Sequence, residues 1–345
     1  MHIADMFVLL VGRDSPVAIR AYDGSEAGPA DPVATIVVKS PTALQYIVTA
    51  PSDLGLARAF ITGELDVEGD LHEALRALAL TNLKAIPTAD KVAMLRSVGL
   101  KNIKRPPLPP QEVRMRGRRH SKHRDAEAIS HHYDVSNTFY RMLLGPSMAY
   151  TCAVFPTADA SLEEAQAYKF DLVCRKLGLK SGDRLLDVGC GWGGMVIHAA
   201  KEYGVNALGV TLSRQQAEWA EKQIAEEGLG DRATVRFLDY RDVPEGDFDH
   251  VSSIGLTEHI GVKNYPSYFG FLLSKLKPEG RLLNHTITRH DGSGRAKAGG
   301  FISRYIFPDG ELVGPAKVMS DMNDAGFEIQ HEEHFRAHYA KTLAA

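Results

Sequence analysis

Leu185-Leu-Asp-Val-Gly-Cys-Gly-Trp-Gly-Gly194 reads as a buried strand running straight into a glycine turn. Leu185, Leu186 and Val188 suit burial on a sheet, while Gly189, Gly191 and Gly193 let the backbone turn sharply and approach a ligand closely. Met195-Val-Ile-His-Ala-Ala-Lys-Glu-Tyr203 has helical composition. The glycines therefore sit at a strand-to-helix junction, where open α/β sheets bind nucleotide-type ligands. The pattern is Asp-x-Gly-x-Gly-x-Gly and not a dinucleotide fingerprint, which favours S-adenosylmethionine over NAD. Taken alone, it fits a non-catalytic Rossmann-like domain with an empty turn about as well.

Downstream periodicity extends the α/β reading. Asn206-Ala-Leu-Gly-Val-Thr-Leu212 is a second apolar strand, after which Ser213 offers an N-cap to a helix over 214–226. Thr234-Val-Arg-Phe-Leu238 alternates like a strand, and Phe248-Asp-His-Val-Ser-Ser-Ile254 leads into another. A helix over 265–276 closes at Lys277-Pro-Glu-Gly280, before the strand Arg281-Leu-Leu-Asn-His-Thr-Ile287. This alternation predicts a parallel sheet with right-handed crossovers. Nearer the start, Val17-Ala-Ile-Arg-Ala-Tyr22 and Thr35-Ile-Val-Val-Lys39 read as strands flanking a Gly/Pro-rich turn, and 71–80 reads as a helix.

Eight segments, in this order, resemble the cyclopropane-fatty-acyl-phospholipid synthase family. They are His131-His-Tyr-Asp-Val135, Ala149-Tyr-Thr-Cys-Ala-Val-Phe155, the glycine turn itself and Gly209-Val-Thr-Leu-Ser-Arg-Gln-Gln216. Ile254-Gly-Leu-Thr-Glu-His-Ile-Gly261, His285-Thr-Ile287, Tyr305-Ile-Phe-Pro308 and His338-Tyr-Ala-Lys-Thr-Leu343 follow. The resemblance runs from about residue 125 to the chain end, and Leu54-Gly-Leu-Ala-Arg-Ala-Phe-Ile-Thr-Gly-Glu-Leu-Asp66 resembles the two-domain members. It implies an α/β fold: a Rossmann-like class I S-adenosylmethionine-dependent methyltransferase domain, with a mostly parallel seven-stranded sheet, beside a smaller α+β N-terminal domain. The expected organisation is an accessory domain over 1–100, a basic Pro-rich linker over 101–124 and the catalytic domain over 125–345.

Composition agrees with an intracellular enzyme. The 345 residues are 44% hydrophobic, ample for one large and one smaller domain, and a net charge of −3 gives no global attraction to nucleic acid. Cys152, Cys174 and Cys190 cannot all pair, which suits a reducing cytoplasm. Met6-Phe-Val-Leu-Leu-Val-Gly12 is short for a signal core and lacks a basic flank, and no apolar run reaches membrane-spanning length. A lipid substrate would then be met from the inner face of the membrane. Lys101-Asn-Ile-Lys-Arg-Pro-Pro-Leu-Pro-Pro110 is proline-stiffened, and Arg114, Arg116, Arg118, Arg119, Lys122 and Arg124 follow it. Such a cluster reads as a surface for anionic lipid, worth about 1 kcal/mol per residue, or equally as a solvated linker. Nothing there interleaves aromatics for base stacking, so RNA is not expected.

The resemblance also assigns roles. It implies that Asp187, Gly189 and Gly191 line the methionine part of the cofactor, with Thr211, Leu212 and Gln216 around the adenosine. Tyr150 and Thr151 would close over it, Ile254 would face it, and Tyr240 would flank the base. Thr151 stands where Ser is usual, and Tyr240-Arg241 where many members have Trp-Glu. No acidic residue follows the second strand, so Gln216 would serve ribose recognition.

An isolated alkene has no proton to lose before it attacks a sulfonium methyl, so its alkylation creates a carbocation that needs electrostatic shelter and then a base. The resemblance implies a bound bicarbonate ion as that base, held by Cys152, Glu258, His285, Tyr339 and the backbone amide of Ile287. Singly, each residue reads as an ordinary packing group; together, in the expected motifs, they read as a site. Thr257 replaces a usual Phe and Asn284 a usual apolar residue. The cation can close to a cyclopropane or collapse to an exocyclic methylene that a separate reductase turns into a methyl branch. The 56–70 segment and Thr257 resemble the actinobacterial branch making 10-methylene and 10-methyl fatty acids. Expected partners are a bilayer with unsaturated acyl chains, that reductase and a second copy of the chain. Methylation of a soluble small molecule, or a non-catalytic lipid- or cofactor-binding module, are the alternative readings.

Overall fold

The computed structural model describes residues 2–79, 104–133, 136–290 and 298–345. Two compact units divide the chain, Met1–Val113 with Gly299–Tyr305, and Arg114–Ala298 with Ile306–Ala345.

The first unit runs α1 (Ile3–Val11), β1 (Val17–Ala21), β2 (Glu26–Ala27), β3 (Ala34–Val38), α2 (Pro41–Thr49), α3 (Asp53–Ile61), β4 (Leu65–Gly69) and α4 (Leu71–Ala79). Its sheet has the order β2-β1-β3-β4. β1 and β3 pair in parallel, Val17 opposite Ala34. A tight turn cannot join parallel strands, so the Gly/Pro-rich segment between them is a longer crossing that contributes β2 to the sheet edge. Alternate residues Val17, Ile19, Ile36 and Val38 face Ala43 and Tyr46 of α2 and Ala59 of α3. Ser40 and Ser52 accept amide hydrogens from Thr42 and Leu54, which fixes the starts of α2 and α3.

Of the segment expected as a basic Pro-rich linker, 101–124, residues 101–103 lie outside the described residues, and residues 104–113 are tied to the first unit. The phenol of Tyr46 donates to the carbonyl of Pro107 at 2.6 Å. Arg58 grips Glu112 with two hydrogen bonds of 2.7 and 2.8 Å, both side chains almost fully buried. Residues 104–113 are therefore a fastened part of the first unit.

The second unit carries α5 (Lys122–Tyr133), α6 (Asn137–Leu144), α7 (Leu162–Leu177), β5 (Arg184–Val188), α8 (Gly194–Tyr203), β6 (Asn206–Thr211), α9 (Arg214–Glu226) and β7 (Ala233–Phe237). β8 (Phe248–Ile254), α10 (Thr257–Ile260), α11 (Tyr265–Lys275), β9 (Leu276–His285), α12 (Pro315–Asp324) and α13 (Arg336–Ala344) complete it. The sheet order is β7-β6-β5-β8-β9, all pairs parallel. The order reverses at β5, so its C-terminal end opens into a crevice. Period-two alternation splits the core between two faces: Leu185 packs with Val173, Leu177 and Val196, while Leu186 and Val188 pack with Phe248, Tyr268 and Phe269.

Among the described residues the sheet has five strands where seven were expected. β5 and β6 were legible as apolar runs and β7 by alternation; residues 327–335, after α12, pair with no strand of the described residues and run on to α13. Two boundaries also differ. β9 begins at Leu276, because the register slips between Phe248 opposite Leu276 and His250 opposite Arg281, absorbing Lys277-Pro-Glu-Gly280 as an irregularity within the strand. It ends at His285, which releases Thr286 and Ile287 from the ladder.

Candidate active site

At the end of β5 the three glycines adopt φ values of +76° at Gly189, +55° at Gly191 and +82° at Gly193. A Cβ on Gly193 would meet Ala220 Cβ at 2.8 Å, so that glycine is required by helix packing. A Cβ on Gly191 would meet nothing within 4 Å and would project into open space. That pairing of roles, one glycine for the fold and one for a ligand, is what a cofactor turn needs. Asp187 lies beneath the turn, almost fully buried, and accepts the Ser252 hydroxyl hydrogen at 2.6 Å. Burial pushes its carboxyl up to about 6, against the opposing pull of Ser252 and Lys169.

A crevice at this switch point is lined by Gly189, Gly191, Thr211, Leu212, Gln216 and Tyr240, six of the residues expected to hold the cofactor. Gln216 Oε1 accepts the Thr211 hydroxyl hydrogen at 2.7 Å, which leaves the Gln216 amide hydrogens for another acceptor. Ser213 caps α9 through the Gln216 amide and so fixes where that side chain emerges. The Tyr240 ring stands edge-on to Tyr268 and Phe271, both centroids 5.3 Å away, presenting an aromatic wall.

Four expected residues do not line the crevice. Asp187 is beneath it, Ile254 packs into the core and pairs across the sheet with His285, and Tyr150 lies tilted between Tyr140 and Phe307, with ring centroids 5.9 and 6.4 Å away. Thr151 Oγ1 accepts from Lys169 at 3.0 Å. Sequence reading in turn missed Asp125, Leu256, His259 and Ile260, which do line it. Arg241 also lines it, but its guanidinium is held by Asp239 at 2.6 and 2.8 Å and by Asp125 at 2.9 Å. The position where Glu is usual thus carries a cation already neutralised by two neighbours.

Next to the crevice, α10 carries Glu258 on the same short helix as the lining residues His259 and Ile260. The Ile287 amide, expected to face an anion, donates to Glu258 Oε1 at 2.6 Å. β9 ends at His285, which leaves this amide outside the ladder and available for that bond. Glu258 Oε2 is buried without a hydrogen-bond partner among the described residues, and burial raises the carboxyl above its ordinary range. His285 stands edge-on to Phe335, and desolvation with the nearby Lys169 and Lys176 charges lowers its pKa to about 4. Cys152 Sγ lies 3.2 Å from the Ala153 carbonyl and 3.8 Å from that of Phe335. Tyr339, on α13, has its phenol raised to about 12 by burial and by the field of Glu258, Cys152 and Tyr150. The cluster therefore consists of one carboxyl and three groups kept uncharged at neutral pH.

α13 is seated on the 152–155 segment by bonds from the Ala153 amide to Thr342 Oγ1 at 3.0 Å and from the Phe155 amide to His338 Nδ1 at 2.9 Å. These place Tyr339 beside Cys152, though the two are far apart in sequence. A bicarbonate ion fits this donor set, since it has a hydroxyl to give the orphaned Glu258 oxygen and oxygens that accept from uncharged Cys, His and Tyr donors. S-adenosylmethionine likewise fits the crevice through its open glycine and aromatic wall.

Part of the basic cluster is spoken for. Arg124 pairs with the buried Asp309, bonding at 2.8 Å, Arg119 meets the same carboxylate at 3.0 Å, and Lys122 pairs with Asp242. Arg114, Arg116 and Arg118 are exposed. Of the motif His131–Val135, residues 134 and 135 lie outside the described residues. No helix of the described residues is long and apolar enough to cross a membrane.

The sequence model described as "Mycolic acid cyclopropane synthetase" matches residues 120–345. A protein of Mycobacterium tuberculosis named "Probable fatty acid methyltransferase" is 55% identical over 339 residues, covering 95% of this chain and 79% of its own length. The cyclopropane-fatty-acyl-phospholipid synthase of Escherichia coli K12 is 40% identical over 216 residues, 62% of this chain and 54% of that protein. Among solved structures, the cyclopropane synthase MmaA2 of M. tuberculosis aligns with a TM-score of 0.59 at 35% identity, covering 64% of this chain and 80% of that one. The mycolic acid cyclopropane synthase CmaA1, complexed with S-adenosylhomocysteine and a detergent cation, aligns at 0.60 with the same identity and coverage.

Proposed function

The chain belongs to the mycolic acid cyclopropane synthetase family, a family of S-adenosylmethionine-dependent lipid methyltransferases, and from that premise we propose its substrate and mechanism. The substrate is the double bond of an unsaturated acyl chain in a membrane phospholipid, and the reaction passes through a carbocation. The cofactor, when bound, supplies the electrophilic methyl group. Gly191 leaves room for it, Tyr240 walls the base, and Gln216 offers amide hydrogens to the ribose.

One observation carries the proposal: the helix that walls the cofactor crevice also bears Glu258, whose second oxygen is buried and unpartnered. An alkylated alkene needs negative charge close by. Glu258 supplies it, and desolvation keeps His285 from adding a positive charge of its own above about pH 4. Cys152, His285, Tyr339 and Glu258 would hold a bicarbonate ion, whose chemistry is to accept a proton. Two features support a membrane substrate. α6 presents Phe139, Met142 and Leu143 to solvent as a stripe at helical spacing, with Met142 84% exposed. Exposed Arg114, Arg116 and Arg118 suit anionic headgroups.

With the cation on the carbon beside the methylated one, loss of a proton from the transferred methyl closes a cyclopropane; a 1,2-hydride shift that first moves the cation onto the methyl-bearing carbon lets the same proton loss leave an exocyclic methylene. Mass spectrometry of lipids from a host expressing the chain, with and without a partner reductase, tests the proposal. Acyl chains heavier by one CH2 group at unchanged chain length are expected, and a methyl branch appearing only with the reductase identifies the methylene product. Unaltered host lipids would overturn it.

A further inference from the structure

The first turn of α5 is fastened at three charged positions. Lys122 pairs with Asp242, Arg124 bonds to Asp309 at 2.8 Å, and Asp125 Oδ2 accepts from Arg241 at 2.9 Å. Of these three residues only Asp125 lines the crevice, and its side chain is 19% exposed, so it is largely desolvated yet within reach of a ligand there. Arg241 does not use it up. Two bonds from Asp239 already chelate the guanidinium, so two carboxylates face one cation and one negative charge is left over. Asp125 Oδ1 accepts no hydrogen bond among the described residues. His120 Nδ1 stands 3.9 Å from that oxygen and is engaged with the His259 carbonyl at 3.2 Å.

The exocyclic amine of adenine is a hydrogen-bond donor, whereas an oxygen at the same place on the ring is an acceptor. A carboxylate with a spare oxygen favours the first and rejects the second. We propose that Asp125 determines specificity for the adenine of the cofactor, its Oδ1 accepting from the exocyclic amine in place of the acidic residue that Arg241 displaces. Arg241 is then a positioning residue: its guanidinium lies 5.3 Å from the Tyr240 ring centroid and ties the Asp125 carboxylate to the edge of that aromatic wall. Burial raises the Asp125 carboxyl above its ordinary range despite the pull of Arg241, so its charged form gains from a further donor. The inference rests on the cofactor part of the proposed function and not on the lipid.

Calorimetry with two ligands tests it: S-adenosylhomocysteine and S-inosylhomocysteine, which differ only in carrying an amine or an oxygen at that place on the base. The unaltered protein should bind the adenine form about 10- to 100-fold more tightly, the range of a hydrogen bond to a charged group. Asp125→Asn, whose amide offers either a donor or an acceptor, should bring the two affinities to within about threefold. Asp125→Ser, with a hydroxyl that does both, decides the matter in the same way if Asp125→Asn does not fold. Equal affinity of the unaltered protein for both ligands would overturn the proposal. So would a variant that keeps the preference, whether both affinities fall together, as a purely structural role requires, or neither moves. Failure of the unaltered protein to bind either ligand would instead remove the cofactor reading beneath it.

Discussion

Thr257 donates its hydroxyl hydrogen to the side-chain oxygen of Asn284 at 2.7 Å. The two places beside the proposed anion-binding cluster where the chain departs from its family's usual apolar residues are therefore one feature. Thr257 is fully buried, and each residue immediately precedes a member of the cluster, Glu258 and His285. A polar pair has replaced an apolar contact, with each member satisfying the other.

This predicts a non-additive mutational cycle. Thr257→Val or Asn284→Leu alone leaves a polar partner, half-buried Asn284 or fully buried Thr257, without its hydrogen bond and should cost about 1–3 kcal/mol. The double variant should recover most of that loss, because both polar groups leave together. Chemical denaturation of the four proteins checks it; strictly additive losses would show that the pair is not coupled.

The glycine turn predicts two different failures. Gly191→Val places its side chain in open space and should leave a folded protein with its cofactor affinity abolished, at about 1–2 kcal/mol of backbone cost for the left-handed conformation. Gly193→Val drives a side chain into Ala220 and should unfold the second unit first. Thermal melts with calorimetry separate the two, and unchanged S-adenosylmethionine affinity in Gly191→Val would remove the turn from the ligand site.

Much of this site was legible because its signals are local. β5 and β6 are apolar runs that end at the glycine turn and just before the capping Ser213, β7 alternates, and Gly191 stands within a recognisable spacing. Lys169 was illegible because a lysine in a helix ordinarily faces water; the one hint is its place in the buried series Ala165, Phe170, Val173 and Cys174. Glu112 escaped notice for another reason. Its partner Arg58 is 54 residues away, and nothing in a proline-rich segment announces a buried ion pair. The bond from the Ile287 amide to Glu258 was illegible because it depends on where β9 stops, a boundary that composition does not mark.

Membrane contact should separate into two components. Charge reversal at Arg114, Arg116 and Arg118 should weaken sedimentation with anionic vesicles at low salt and matter little at high salt, where exposed attractions are screened. Met142→Glu with Leu143→Glu should weaken it at every salt concentration, because those side chains act by apolar burial. Detergent-dispersed lipid should be turned over normally by both variants. Unchanged vesicle binding in both would point to the first unit as the membrane-contacting part.

The central claim is that a methyl group is delivered to an acyl double bond beside Glu258. The most direct test supplies purified protein with vesicles of a monounsaturated phospholipid and S-adenosylmethionine labelled in its methyl group, then releases the acyl chains for mass spectrometry. The account predicts one labelled carbon per modified chain, located at the former double bond. Glu258→Gln should lose this product by orders of magnitude while cofactor affinity is retained. Label found on the headgroup or on a soluble acceptor, or full turnover by Glu258→Gln, would contradict it.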